Sequence, residues 1–348
     1  GDILIMAYTT INKSTDHFNT KLYTGNGSTN AQTGVGFQPD WLWVKCRSDA
    51  NGHQLFDALR TTYSLSTNET DAEANRASDG FTSLDSDGFT MNGSGNGGST
   101  NFNGRTYVAW NWKANGAGSA NTDGTINSTV SVNTTAGFSI VSYTGNATNA
   151  ATVGHGLGVA PKVIIIKNRS SSQHWRFHTT AIDGSYDLLY LNLSNAKSDS
   201  SITAPTSSVF TLDAFTEDNG SGNSIIAYCF AEKTGYSKFG SYTGNGNADG
   251  TFIYTGFKPA FFLMKETTDS STNWIIYDNK RSTFNAVDDF LKPNSNDAES
   301  TGLDFDFLSN GIKCRNNNSG INASGQNYIY MAFGQSLVGS NNVPCTAR

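Results

Sequence analysis

The sequence predicts an all-β protein made of three tandem antiparallel repeats, each a β-sandwich or jelly-roll-like unit. The motif Tyr-Thr-Gly-Asn occurs three times, at residues 23–26, 143–146 and 242–245, and each copy precedes Gly-x-x-Pro and a short apolar run that ends in lysine. Several segments alternate apolar and polar residues with period two, which is typical of strands. Gly, Asn, Ser and Thr are abundant and suit tight turns, whereas long helical patterns are missing.

The spacing of these motifs divides the chain into repeats of about 100–120 residues, a common domain size. A module that has been copied and has diverged argues against a single active site assembled from the whole chain. The predicted segments are an N-terminal arm (1–20), repeat 1 (21–116), a linker strand with repeat 2 (117–235), repeat 3 (236–335) and a C-terminal tail (336–348).

The apolar runs of the three repeats end at Lys45, Lys167 and Lys265. Each run follows a Gly-x-x-Pro turn, and the first residue of a strand is where the missing N–H of proline does least harm. We therefore expect three central strands, with Ile165 fully buried. An aromatic-rich run closes each repeat, and residues 129–132 alternate like a further strand before repeat 2.

Two polar features recur and are interpreted as structural. A lysine at the end of a buried strand lays its stem on apolar surface and keeps its ammonium in water, an interpretation we prefer to contacts with acidic sugars. Asp57-x-x-Arg60 in repeat 1 matches Asp278-x-x-Arg281 in repeat 3 and predicts a bidentate ion pair. His178 lies near that place in repeat 2, so a shared catalytic role fails.

Composition excludes several classes of protein. The net charge of −6 and the lack of a Lys/Arg cluster argue against nucleic-acid binding. No run of eighteen apolar residues exists, so we expect no membrane insertion. The cysteines stand alone, without paired spacing, which predicts reduced thiols rather than disulfides or a zinc site and fits assembly in a cytoplasm. They are Cys46, Cys229, Cys314 and Cys345.

Four tryptophans are the candidate contact residues. Trp41 and Trp43 share one face of a strand whose other face carries Leu42 and Val44, and Trp110 and Trp112 lie in the closing run of repeat 1. A sandwich strand needs one apolar face, so the second must be covered or exposed. Exposed, it would stack on sugar rings; covered, it would contact a neighbouring repeat or subunit. The second alternative is favoured because the equivalent residues in repeats 2 and 3 are mostly aliphatic or Phe.

Enzymatic and metal-binding patterns are weak. The segment 85–88 resembles the start of a calcium loop but lacks the later ligands. His174 and His178 have no evident third ligand. Four acids in repeat 3 are the only motive for a glycan depolymerase, which needs two carboxylates at a defined separation; they are Asp288, Asp289, Asp304 and Asp306. No nucleophile elbow, P-loop or zinc-protease motif occurs. We therefore predict no catalytic residue, no cofactor and no metal.

Most of residues 125–348 resembles a module of predicted virion proteins from tailed phages, especially those of marine bacteria and cyanobacteria, and repeat 1 resembles it more loosely. Repeat 1 departs most, with Trp110-Asn111-Trp112 where repeat 2 has Tyr228-Cys229-Phe230. The segments that carry the resemblance are 133–146, 153–162, 227–232, 235–245 and 328–333. The resemblance implies a phage structural protein and carries no catalytic residues.

The function expected from these observations is that of a non-enzymatic virion component: a tail fibre, knob or capsid decoration that contributes to host attachment. A glycan-binding receptor module is the alternative, and a tail-associated depolymerase is less favoured. The expected location is the virion, after assembly in the host cytoplasm. Expected partners are other virion proteins, host glycan and further copies of the chain, with a trimer favoured for a fibre. Three repeats in a row predict an elongated subunit, unless repeat 2 folds onto repeat 1 and hides the tryptophans.

Overall fold

The computed structural model describes residues 8–269 and 271–339, and nearly all of its regular structure is β. Helix is confined to single turns, which confirms the all-β prediction. These are a 3₁₀ turn at Ser14–Asp16 and the four-residue segments α1 (Gly95–Gly98), α2 (Thr216–Asn219) and α3 (Ser319–Asn322). Residues 1–7, 270 and 340–348 lie outside the described residues, and with them Cys345 and most of the predicted tail.

The strands form three consecutive groups along the chain. The first group is β1 (Phe18–Thr24), β2 (Asn30–Gln32), β3 (Trp41–Cys46), β4 (Gln54–Asp57), β5 (Tyr63–Ser64), β6 (Ala74–Asn75), β7 (Ser83–Asp85), β8 (Gly88–Met91) and β9 (Thr106–Trp112). The second is β10 (Ser119–Asn121), β11 (Ser128–Asn133), β12 (Phe138–Thr144), β13 (Thr152–Gly154), β14 (Val163–Asn168), β15 (Arg176–Thr179), β16 (Asp187–Tyr190), β17 (Ser198–Asp199), β18 (Val209–Thr211) and β19 (Ser224–Phe230). The third is β20 (Ser237–Thr243), β21 (Phe252–Tyr254), β22 (Lys258–Glu266), β23 (Ile275–Asp278), β24 (Phe305–Leu308), β25 (Gly311–Cys314) and β26 (Asn327–Gln335).

Each group builds one main sheet with the same antiparallel order. Sheet I is β1-β9-β3-β4, sheet III is β20-β26-β22-β23, and the eight-stranded sheet II contains β12-β19-β14-β15 in the corresponding places. The strand β11, predicted at residues 129–132, pairs with β12 and extends sheet II. The strands that hold the lysine-terminated runs, β3, β14 and β22, have a partner on both sides, and Ile165 is 1% exposed. The prediction of central strands is confirmed.

One face of each main sheet packs on a small sheet from the same group. The small sheets are β2-β8-β7, β13-β18 and β21-β25-β24. Leu42 of sheet I shares a buried apolar cluster with Phe89 of β8, and Phe262 of sheet III shares one with Ile312 of β25. Each group therefore has a core of its own, bounded by two layers of strands.

The other faces of the three main sheets pack against each other in one central core. Trp43 of sheet I, Ile165 of sheet II and Leu263 of sheet III belong to the same buried cluster. Strands β3, β14 and β22 are thus buried on both faces, which explains why their sequences are apolar runs instead of alternating ones. The chain is not an elongated row of units, because the sheets cover one another's second apolar face.

Equivalent hydrogen bonds join the sheets in a closed cycle. Each donor is the residue directly before β4, β15 or β23. Each acceptor belongs to another group and is the carbonyl of the residue after a leucine that pairs with the equivalent strand of that group. Trp43 Nε1 donates to His53 Nδ1, which leaves the proton of His53 on Nε2. The three bonds are His53 Nε2 to Lys292 O (2.9 Å), Trp175 Nε1 to Ser66 O (2.8 Å) and Trp274 Nε1 to Tyr190 O (2.9 Å). Sheet I thus binds III, II binds I and III binds II; we name these contacts junctions I–III, II–I and III–II.

The segment before β1 links the first and third groups. Ser14 N donates to Gln335 Oε1 (2.6 Å), and Tyr8 Oη donates to Gly256 O (3.1 Å). Ile11 is buried in the central core. β1 begins at Phe18, so the last three residues of the predicted arm belong to a strand. The described part of the arm is packed against the fold.

Candidate functional site

The four tryptophans predicted as glycan or subunit contacts lie in the central core. Trp41, Trp43, Trp110 and Trp112 are 2% exposed or less. The Trp41 ring packs on Tyr228 of sheet II with a centroid separation of 4.7 Å. A sugar or another subunit reaches only exposed side chains, so this placement corrects the expectation of such a contact. Of the two alternatives, the structure places neighbouring sheets of the same chain on the tryptophan face.

The three repeated lysines are buried at their ammonium groups as well as along their stems. Lys45, Lys167 and Lys265 are all 0% exposed, so the expectation that their ammoniums lie in water is wrong. Burial lowers the pKa of each to about 8. Backbone carbonyls hold the charged groups, since such a group must find acceptors when it leaves water.

Two of these lysines bond across a junction. Lys167 Nζ donates to Thr70 O (2.8 Å) at junction II–I. Lys45 Nζ donates to Asn296 O (3.3 Å) at junction I–III. Lys265 Nζ donates to Glu266 O and Thr272 Oγ1 of its own group. The repeated lysine therefore bonds to a neighbouring group from sheets I and II, whereas in sheet III it bonds only within its own group.

The Asp-x-x-Arg motifs form buried ion pairs, as predicted. Arg60 Nε lies 2.6 Å from Asp57 Oδ2, and Arg281 Nε lies 2.6 Å from Asp278 Oδ2. The predicted bidentate geometry does not occur, because each guanidinium turns its Nη2 to a backbone carbonyl instead. Burial opposes ionisation of Asp278, but the charge of Arg281 together with the hydrogen bonds from Arg281 and Trp110 outweighs it and lowers the pKa of this carboxyl.

Each ion pair continues across a junction. Glu299 joins Arg281 of its own group to Arg47 of sheet I, at 3.0 and 2.7 Å. Asp278 also accepts from Trp110 Nε1 of sheet I (2.9 Å). These contacts make junction I–III an uninterrupted Asp–Arg–Glu–Arg network.

Junction II–I repeats this network with different residues. Glu73 lies 3.7 Å from Arg60 and 2.8 Å from Arg169 of sheet II. Tyr228 Oη donates to Asp57 Oδ2 (2.7 Å) from the place that Trp110 has in sheet I. The Asp-x-x-Arg motif, interpreted from the sequence as a local ion pair, is thus the buried end of a network that joins two groups. No sequence spacing signals its outer end, since Glu73 and Arg169 are far apart along the chain.

Junction III–II keeps the backbone contact, but among the described residues it does not repeat the Asp–Arg–Glu–Arg network. Lys197 N donates to Thr267 O (2.9 Å), just as Glu73 N donates to Arg169 O. The position of Asp57 is taken by Thr179, which faces Val163 in the register where Asp57 faces Trp41. Lys197 turns to acids of its own group, including Asp187 at 2.6 Å. His178 is one residue from the equivalent position.

A charged cluster occurs in the second group. Arg176 Nη1 contacts Asp213 Oδ2 (2.6 Å) and Asp218 Oδ2 (2.9 Å), which fastens the segment around α2 to sheet II. Burial raises the pKa of Asp218 to about 8 although Arg176 opposes the shift. Burial also lowers the pKa of His178 to about 3, and neither ring nitrogen has a partner among the described residues. His178 is thus a neutral core residue.

The remaining predictions on metals and cysteines concern the same described part of the chain. Within residues 8–269 and 271–339, no group of three or more His, Cys, Asp or Glu side chains is placed to hold a metal ion. Cys46, Cys229 and Cys314 are buried and free. No helix in these residues is long and apolar enough to cross a membrane.

A cavity of about 270 Å³ opens beside the Gly-x-x-Pro turn of the third group. Val287 and Phe307 are buried and form an apolar floor, and Phe284, 84% exposed, stands at the rim. The lining residues are Lys258, Asn279, Ser282, Thr283, Phe284, Asn285, Val287 and Phe307. Sequence reasoning missed this site.

A cavity of about 290 Å³ occupies the corresponding place in the first group, lined by Gln38, Ala58, Thr61, Phe81, Thr82, Ser83, Leu84, Gly116 and Ala117. The two linings correspond at four positions. These are the residue before the proline of Gly-x-x-Pro, the residue after the aspartate of Asp-x-x-Arg, the residue after its arginine, and a residue that pairs with β8 or β25. In that order the pairs are Gln38 and Lys258, Ala58 and Asn279, Thr61 and Ser282, and Leu84 and Phe307. An aligned aromatic three residues after each arginine, Tyr63 and Phe284, was the available sequence signal.

A protein-family model matches most of the chain. A model described as a domain of unknown function, DUF7483, matches residues 13–336. The chain belongs to the DUF7483 family. The match includes all three main sheets and both cavities. No curated protein and no solved structure matches the chain.

Proposed function

We propose that this DUF7483 chain is a non-enzymatic structural protein of a tailed-phage virion, a tail fibre, knob or capsid decoration that helps to attach the particle to its host. The resemblance of residues 125–348 to predicted virion proteins motivates the proposal. In this view the protein is assembled in the host cytoplasm and resides in the virion. Its partners are other virion proteins and host-surface glycan.

The architecture that we propose for this role is three tandem antiparallel β-sandwich units arranged in a ring around one core. Its support is the common strand order of the main sheets and the cycle of equivalent hydrogen bonds. Such a chain resembles a symmetric trimer fused into one polypeptide, with the same interface used three times. A rigid scaffold that presents similar loops in several directions suits an attachment or decoration protein.

The single observation that supports the non-enzymatic part is the burial of the repeated polar motifs. The Asp-x-x-Arg pairs and the repeated lysines are buried and bonded to the protein itself. Among the candidate acids, Asp306 is paired with Arg315. Catalytic groups need access to substrate, so these residues fit structural roles.

Formation of homo-oligomers stays a prediction. It was argued from the tryptophan face, which would have needed a second copy of the chain to cover it. The central core already covers that face. We therefore favour other virion proteins over further copies as the partner, and sedimentation of the purified chain measures its oligomeric state.

Labelling of particles tests the proposal. An antibody raised against the purified chain, visualised by gold on particles of the phage that encodes it, is expected to mark the tail or the capsid surface. Mass spectrometry of the same particles should detect the chain. A chain found only in the lysate supernatant contradicts the structural role, and release of reducing sugar from host polysaccharide would favour the depolymerase alternative.

The glycan-binding alternative is favoured by a specific observation, the paired cavities of the first and third groups. Both combine an apolar floor with hydroxyl or amide side chains. This composition is usual for small-ligand sites, where a few polar groups orient a ligand on apolar surface. Attachment and glycan binding are compatible functions of one chain.

A further inference from the structure

We propose that the two equivalent cavities bind sugar residues of a surface glycan, and that the cavity of the third group selects a sugar that carries a carboxylate. The proposal deepens the attachment function proposed above and rests on it for its biological setting. It is carried by the recurrence of one cavity in two groups, with a change of charge between them.

The shared chemistry of the cavities points to sugars. A sugar ring presents hydroxyls around its edge and C–H groups on its faces, so its site needs hydrogen-bonding side chains beside an apolar surface. Thr61 and Thr82 supply hydroxyls in the first cavity, above Leu84. Asn279 and Ser282 supply an amide and a hydroxyl in the third, beside Phe307. Volumes of about 270 and 290 Å³ lie near the lower end for small-ligand pockets, about 300 Å³, which suits a single ring or a terminal residue.

The first and third groups have an exposed aromatic side chain at the same sequence position, and in the third group it lines the cavity. Tyr63 is 38% exposed and Phe284 is 84% exposed, and each follows its buried arginine by three residues. Single exposed aromatics need no explanation, but Phe284 lines the third cavity, whereas Tyr63 does not line the first. An aromatic face at this position offers a stacking surface for the ring of the bound sugar.

The charge of the lining distinguishes the two cavities. Lys258 lines the third cavity at the position where Gln38 lines the first. A second lysine, Lys280, lines an adjoining cavity that shares Lys258 and Asn279. No ion pair formed among the described residues includes either lysine. Asp288 contacts Ser282 Oγ at 3.5 Å but does not line the cavity.

An unpaired ammonium at the edge of a sugar-sized cavity favours an anionic group on the ligand, since charge-assisted hydrogen bonds are the stronger ones. The second group lacks the complete set of residues. Ala160, Thr180 and Ser185 stand at the positions of Lys258, Asn279 and Phe284. The inferred site is thus present twice, in a neutral and a cationic form.

The test measures binding of two probes to the purified full-length chain by calorimetric or NMR titration. The probes are trigalacturonic acid and its methyl ester, which differ in charge and share the ring. The wild-type chain is expected to bind both, and the acid more tightly, with a preference that weakens as salt is added. Lys258→Gln gives the third cavity the residue of the first and should weaken binding of the acid about tenfold while sparing the ester.

Reciprocal and control variants complete the design. Gln38→Lys should strengthen binding of the acid at the first cavity. Phe284→Ala should weaken both probes, whereas Phe252→Ala, which removes a phenylalanine 42% exposed outside both cavities, should weaken neither. Lys258, Gln38 and Phe284 are exposed, so unchanged unfolding midpoints are expected.

Two results overturn the inference: no saturable binding of either probe, or a loss in Lys258→Gln that is equal for acid and ester. These outcomes are separate from the virion role. Particles that carry the chain without sugar binding would leave the structural function standing. Sugar binding by a chain absent from particles would remove the virion role and keep the sites.

Discussion

Two junctions between the sheets are built around buried charges, and the third is not. Junctions I–III and II–I each contain an Asp–Arg–Glu–Arg network, whose inner aspartate is Asp278 or Asp57. Junction III–II has Thr179 at that place. The tryptophan or histidine bond to a carbonyl and the backbone bond beyond it occur at all three.

This difference distinguishes the interactions that hold the three sheets together from those that determine which sheets meet. The apolar core and the backbone bonds are common to the three junctions, so they suffice to hold sheets together. Buried ion pairs add little net stability compared with apolar packing, but breaking one is costly. We therefore expect the charges chiefly to fix which sheets meet and in what register, because a mismatched junction would leave a buried charge unpaired.

The largest expected effect is at a buried carboxylate. Asp278→Ala removes the closest carboxylate partner of Arg281 and the acceptor of Trp110 Nε1, which leaves the buried guanidinium only partly compensated, by Glu299. The free energy of unfolding should fall by about 3–5 kcal/mol, whereas Thr179→Ala at the uncharged junction should cost about 1 kcal/mol. Urea unfolding of both variants measures the difference. Equal losses would remove the distinction between the junctions.

Truncation in the central core should not distinguish the junctions. Ile165 and Leu263 occupy equivalent positions in sheets II and III and are 1% and 2% exposed. Each change to alanine should lower the free energy of unfolding by about 2–5 kcal/mol, because both leave a cavity in the same core. A loss below about 1 kcal/mol for either variant would indicate that its strand lies at an edge where neighbouring side chains relax into the cavity.

The smallest expected effect is a pH dependence from the buried lysines. The folded chain holds the pKa of Lys167 at about 8, below the ordinary value of 10.5. Between these two pKa values the unfolded chain binds more protons than the folded chain. The cost of burying the charged ammonium therefore falls, and the free energy of unfolding rises with pH. From pH 8 to 9.5 the wild type should gain roughly 1 kcal/mol relative to Lys167→Met.

The matched variant isolates the lysine because both chains carry the same buried tyrosines. Lys265→Met should behave alike, since the pKa of Lys265 is also about 8. Its bonds stay within one group, so a similar pH response would assign the effect to burial and not to the junction. A flat difference across this pH range for both would contradict buried, charged ammoniums at neutral pH.

The sequence predicted the strands because their signals are local. Gly-x-x-Pro turns, period-two alternation and apolar runs each act within a few residues, and β3, β14 and β22 are central strands as expected. The same runs carried information that was not used. Trp41, Leu42, Trp43 and Val44 leave no polar face, which indicates burial on both sides, but a single sequence does not say whether the cover is another subunit or the same chain.

The site features were less accessible to prediction because they depend on contacts distant in sequence. Asp278 and Arg281 were recognisable as a pair, yet Glu299 and Arg47, which complete the network, are separated by most of the chain. The lysines were predicted to reach water because that is the usual arrangement for an amphipathic stem. Carbonyls replace water instead, and for Lys45 and Lys167 one of them comes from another group. The cavities require two motifs to be aligned before their correspondence is visible.

The bond between Ser14 N and Gln335 Oε1 has a consequence for the order of the units in the gene. It brings the entry to the first group beside the exit from the third, so the path of the chain returns to where it began. A circular permutation that starts at the second group and joins residue 335 to residue 14 through a short linker would preserve every junction. The contacts of this fold specify the cyclic order of the three groups. They do not specify which group comes first in the chain.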